Sequence, residues 1–160
     1  MPEKKIKKQK FIGKKFIALH RSRELALQFL CSIDLFPEHG ENFNESLELF
    51  LNLDDVSKND NPEVKERCKN LASQVWNRKN EIDELLLRTV TGWRPERMVS
   101  VDRSILRLMT FEGFLEKTLP VKSAISEAIK LANDFGTKDS ARFVNGVMCK
   151  IEKFFEQELS

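Results

Sequence analysis

From Leu19 onward, apolar residues recur at intervals of three and four, the period of helices that bury one face. Leu19, Ser22, Ala26, Phe29 or Leu30, and Ile33 form the first stripe, and Pro37, Gly40 and Asn42 break it. Phe43, Leu47, Phe50 and Leu51 make a short amphipathic helix. Residues 54–62 (DDVSKNDNP) are polar, rich in turn formers and read as a loop. After Pro62 come Val64, Cys68, Leu71 and Val75 or Trp76. Residues 77–80 interrupt that helix, Ile82, Leu85, Leu86 and Val90 resume the pattern, and Gly92 and Pro95 close it.

The second half is more strongly patterned. Ser100 or Asp102 can cap a helix whose Val101, Ile105, Leu106, Leu108, Met109, Phe111, Phe114 and Leu115 cover nearly its whole circumference. Such a helix is buried on several sides and should be central. Pro120 suits the first turn of the next helix, where Ala124, Ala128 and Ala132 permit close packing. Gly136 suits a left-handed helix end, and Thr137 or Asp139 can cap a last helix whose stripe is Phe143 or Val144, Val147 or Met148, Ile151, Phe154 and Phe155. Asn145 and Gly146 read as packing residues, Gly146 admitting a neighbouring helix. No segment alternates as a half-buried strand does, so the pattern predicts an all-α fold of six or seven helices.

A chain of 160 residues, 41% hydrophobic, suits one domain with a sizeable core and needs no metal or disulfide staple. The three cysteines, Cys31, Cys68 and Cys149, lie far apart, which fits a reducing cytoplasm. No apolar run is long enough for a membrane span, and the basic start lacks the apolar stretch of a secretory signal. Charge changes the picture more. The net charge of +2 hides a segregation: residues 1–23 hold nine basic side chains against Glu3, a balance of +8, and the rest of the chain balances at −6. Such a field at one end is the footprint of a nucleic-acid contact, although a solubilising terminus has the same composition. Residues 1–18 are expected to be a flexible basic tail and 19–160 a single helical domain. Phe11, Ile12, Phe16 and Ile17 could stack on bases, dock on the domain or start the first helix early. Arg21 and Arg23 near a helix start oppose its macrodipole, which hints at an anionic ligand.

Catalytic chemistry has little to stand on. His20 and His39 make no HExxH pair and no metal cluster with the distant cysteines, so no metal site is expected, and neither phosphate loop nor nucleophile elbow occurs. Glu81, Asp83 and Glu84 read as a solvated face, and Trp76 and Trp93 as core. No enzyme activity is expected.

The segment PVKSAISEAIKLANDFGTKDSARFVNGVMCKI (120–151) resembles the C-terminal part of the NusB transcription antitermination family. VDRSILRLMTFE (101–112) is similar to the family's preceding helix, and LHRSRELALQFL (19–30) to its arginine-bearing first helix. The resemblance spans roughly 19–157, weakly between 37 and 90. It implies two perpendicular three-helix bundles of about seven helices, no cofactor, and a role in processive transcription of ribosomal RNA operons. It also implies partners: the ribosomal protein NusE, boxA-like RNA and the transcription elongation complex.

Carried over by motif position, the RNA face comprises His20, Arg21 and Arg23 with Lys138, Asp139, Arg142 and Phe143; the basic tail adds Lys14 and Lys15. Arginines would neutralise phosphates, and Phe143 would stack on an unstacked base or else pack in the core. Asp139 reads better as a helix N-cap than as an RNA contact. The NusE face would comprise Asp102, Arg103, Arg107, Phe111 and Glu112, unless these charges form ion pairs between the bundles. Departures from the family pattern are His20 and Ser22 among the arginines, and Pro120-Val121-Lys122 where the family has a tyrosine. An interaction module without RNA affinity is the competing reading, and the sequence leaves homodimerisation open.

Overall fold

The computed structural model describes residues 2–159, except for the side chains of Pro2, Phe11 and Ile12; any stacking role of Phe11 and Ile12 lies outside the described residues. Nine α-helices and no strand occur among the described residues: α1 (Pro2–Leu35), α2 (Glu38–Glu41), α3 (Phe43–Leu51), α4 (Asp54–Asn59), α5 (Pro62–Asn77), α6 (Lys79–Thr89), α7 (Ser100–Thr110), α8 (Val121–Phe135) and α9 (Ser140–Leu159). The count exceeds seven because α2 and α4 are single short turns. Residues 54–59, expected as loop, form α4, which has only Val56 to bury and so shows no apolar period. At α5 the side chain of Asn61 accepts the Val64 N–H at 2.9 Å and Pro62 fills the first turn, an N-terminus set by local chemistry.

The helices enclose two cores. Leu25, Ala26, Phe29 and Ile33 of α1 pack with Leu47 and Leu51 of α3, Val56, and Val64, Cys68 and Ala72 of α5. Leu27 and Leu30, on another flank of α1, join α6, α7, α8 and α9 in the second core. The single stripe read on α1 is therefore two, and this helix is the element the bundles share.

As its all-round apolar pattern predicts, α7 is central, with residues 104–114 buried without a break. Neither Ser100 nor Asp102 caps it; the Ser100 hydroxyl instead reaches Asp34 at 3.3 Å. A π turn (Phe111–Leu115) prolongs α7, with the Glu116 N–H donating to the Phe111 carbonyl at 2.9 Å. A Cβ on Gly113 within it would meet the Ala124 Cβ at 2.8 Å. The close approach of α7 and α8 thus rests on this glycine and the alanine stripe.

Two glycines differ from their expected roles. Gly136 ends α8 with φ −90°, not left-handed; it is there because a Cβ would lie 2.5 Å from Ser140. Gly146 is exposed with open space around it, as is Asn145, so neither packs against a helix.

The first helix also starts earlier than its stripe. Residues 2–18 continue α1 instead of standing apart from it. Every described side chain from 3 to 17 is exposed, and a helix that packs against nothing shows no apolar stripe. Lysine is a good helix former, which accounts for helix in a stretch without packing.

Candidate nucleic-acid and partner interface

The basic start of α1 carries Lys14 and Lys15 into solvent. One turn on, Lys14, Ile17, His20 and Arg21 face Asp60, Asn61 and Val64 across a groove of about 550 Å³. Arg21 grips Asp60 with both ends of its fork, Nε to Oδ1 at 2.8 Å and Nη2 to Oδ2 at 3.0 Å, and its Nη1 reaches Glu24 at 3.2 Å. The hydrogen bonds that Arg21 donates to Asp60 push the arginine's pKa up, against the downward pull of burial. About a third of the side chain remains exposed, so one edge can still meet an anion.

Arg23 does not belong to that surface. Its side chain is 5% exposed, with Nε donating to Glu112 at 2.6 Å and Nη1 to Glu127 at 3.2 Å. A guanidinium held by two buried carboxylates has no face left for phosphate. His20 is mostly buried as well, its ring between Glu24 and Glu127, each at 2.9 Å.

The expected partner face along α7 is also largely interior. Arg103 binds Asp34 at 2.8 Å and the carbonyls of Pro95 and Met98. Arg107 makes a two-pronged pair with Asp83, both bonds 2.8 Å, and approaches Asp34 at 3.5 Å. Phe111 is core, with the Arg78 guanidinium 5.6 Å from its ring centre. Glu112 is the buried partner of Arg23. The alternative of ion pairs between elements is what Arg103, Arg107 and Glu112 display, because a helix enclosed on all sides buries its charges too.

Asp102 differs from them. It is 7% exposed, and its Oδ1 is buried without a hydrogen-bond partner among the described residues. It lines a groove of about 640 Å³ with Arg94, Arg97, Val99, Asp139 and Phe143. Phe143 is 40% exposed, so it does not pack in the core. Lys138, Asp139 and Arg142 are exposed beside it. The Asp139 carboxylate makes no capping bond; the turn is ordered by Ser140, whose hydroxyl accepts the Thr137 N–H at 2.9 Å. Gly92, at φ 75°, turns the chain after α6 into the segment that supplies Arg94 and Arg97. Sequence reasoning missed these arginines, treating 92–95 only as a helix stop. The signal was present in WRPERM, where Pro95 opens a short 3-10 turn (Pro95–Arg97) that carries an arginine at each end of the connection between α6 and α7.

The NusB family model matches residues 20–153, most of the chain and both bundles. The chain belongs to the NusB family. It is 38% identical over 133 residues to the transcription antitermination protein NusB of Desulforudis audaxviator (strain MP104C), covering 82% of this chain and 90% of the relative. Among solved structures it resembles T. maritima NusB, with a TM-score of 0.72 and 30% identity over 84% of this chain and 90% of that one. It also resembles a crystal structure of the antitermination factors NusB and NusE in complex with dsRNA, with a TM-score of 0.68 and 25% identity over 85% and 96% of the respective chains. The NusB-family fold agrees with the all-α, two-core architecture. No helix among the described residues is long and apolar enough to cross a membrane.

Proposed function

We propose that this NusB-family chain is a cytoplasmic transcription antitermination factor that binds boxA-like RNA together with NusE and joins the transcription elongation complex. It acts by binding, without catalysis. The observation that carries the reading is the groove beside α9: it holds an exposed aromatic ring, flanking arginines and a buried carboxylate oxygen that lacks a donor. RNA recognition of single strands uses such a combination, with stacking for bases and cations for phosphates. The unpartnered Asp102 oxygen suits a donor from a basic partner such as a ribosomal protein, since leaving it unpaired costs stability.

In this proposal residues 1–18 act as a basic arm that attracts RNA, and 19–160 form the domain that positions it. Lys14, Lys15, Arg21, Arg94, Arg97, Lys138 and Arg142 serve phosphates, and Phe143 serves a base. Asp102 faces NusE. The test is the affinity of labelled boxA RNA against a scrambled RNA across a salt series. A preference for boxA, with log K falling linearly in log salt, supports the reading. Equal affinity for both RNAs would reduce it to nonspecific attraction by the lysine arm.

A further inference from the structure

The ring of His20 poses a problem of proton accounting. Its Nδ1 lies 2.9 Å from Glu127 and its Nε2 lies 2.9 Å from Glu24, four residues on along α1. A neutral imidazole has one N–H, so it satisfies one carboxylate and aims a lone pair at the other. A metal ion at Nε2 would take up that lone pair and the Glu24 charge together. Asp134 of α8, exposed and without an ion pair among the described residues, brings a carboxylate oxygen within 4.8 Å of a His20 ring nitrogen and of Glu24.

We propose that His20 Nε2, Glu24 and Asp134 bind a divalent transition-metal ion, with water completing the shell. Imidazole with carboxylates suits zinc and its neighbours. Donors about 2.1 Å from a tetrahedral ion stand about 3.4 Å apart, so Nε2 and Glu24, at 2.9 Å, need to part by only about half an ångström to admit one. Glu127 plays the outer role: accepting the Nδ1 proton fixes the tautomer and aims Nε2 at the ion. Glu127 is itself held by Arg23 Nη1 at 3.2 Å, and Arg21 steadies the other Glu24 oxygen at 3.2 Å.

Charge points the same way. Five carboxylates, Glu24, Asp60, Glu112, Glu127 and Asp134, meet Arg21, Arg23 and the Lys14 and Lys122 of the adjoining grooves, so the cluster keeps an acidic balance that a cation suits. The ion would also relieve the negative potential beside Arg21 at the edge of the first groove. That consequence rests on the RNA reading; the site does not, and its test needs no RNA.

The experiment is calorimetric titration of the chelator-treated full chain with zinc chloride, repeated for Asp134→Asn and His20→Gln. The proposal expects one equivalent bound, at least tenfold weaker in Asp134→Asn, which is exposed and leaves the fold intact, and lost in His20→Gln. Absence of stoichiometric binding would overturn the site. Undiminished affinity in both variants would overturn it too. So would a cobalt-substituted protein with thiolate charge-transfer bands, which would put the ion on a cysteine.

Discussion

Replacing Arg23 with alanine separates two roles that its place in the sequence confuses. If Arg23 holds phosphate, the variant folds normally and binds RNA poorly. If it is the buried partner of Glu112 and Glu127, the variant loses stability. The side chain is 5% exposed and its carboxylate partners are 7% and 8% exposed. Glu127 keeps its contact with His20, whereas no other partner of Glu112 is seen among the described residues. Breaking a buried pair by removing one member costs about 3–5 kcal/mol, because the remaining charge stays out of water. A domain of this size is stable by roughly 5–15 kcal/mol, so the loss is a large fraction of the whole. At about 2–4 °C per kcal/mol, Tm falls by roughly 6–20 °C. Urea denaturation followed by circular dichroism measures the loss. Replacing Arg23 and Glu112 together with apolar residues should recover much of it, since apolar substitutes of similar volume are often neutral or better. A variant within about 0.5 kcal/mol of the parent, the range of ordinary surface changes, whose RNA affinity drops tenfold or more, would refute the placement.

Other consequences can be checked more briefly. Phe143→Ala should weaken boxA binding by roughly 5–150-fold, the 1–3 kcal/mol of one stacked base, with Tm little changed; a large Tm loss with intact binding would return Phe143 to the core. Gly136→Ala meets Ser140 and the Ala132 carbonyl and should cost about 1–3 kcal/mol in urea melts, whereas exposed Gly146→Ala should gain about 0.5–1 kcal/mol; reversal of that order would contradict the contacts. Burial pushes the Cys68 thiol from 9.0 up to about 12, so Cys149 should label with thiol reagents well before Cys68. Cys68 keeps its proton where an unfolded thiol loses it, so its contribution is full below about pH 9 and is lost as pH rises toward 12. Stability that rose across that window would contradict the burial.

Of the helices after residue 100, α7 was legible from its nearly continuous apolar run and α8 and α9 from helical spacing, whereas their expected caps at Ser100, Asp102 and Asp139 were not the ones the structure uses. Short α4 was not, since one buried valine among polar residues carries no period. The lysine-rich start of α1 was obscured for the opposite reason: with nothing packed against it, a helix shows no stripe. Arg23 carried a signal that its charge concealed. It lies four residues after Leu19 and four before Leu27, within the buried stripe, and Glu112 and Glu127 fall at equally buried spacings on their own helices. A charge at a core position predicts a buried partner, but which carboxylate meets it depends on how the bundles dock. The groove beside α9 was half legible: Phe143 and Asp139 came with their motif, and Asp102 with the central helix. That Arg94 and Arg97 complete it follows from the turn at Gly92, a tertiary matter that periodicity does not encode.

The central claim is that this groove is where RNA and the partner protein meet, with Asp102 as the contact reserved for the partner. Its most direct test is boxA affinity with and without NusE, for the parent chain and for Asp102→Asn. The account predicts that NusE strengthens binding by the parent at least tenfold. The variant should keep the RNA affinity of the free parent, lose most of that gain, and be no less stable, because an unpaired buried charge is gone. An equal NusE gain in both proteins, or none in the parent, would contradict it.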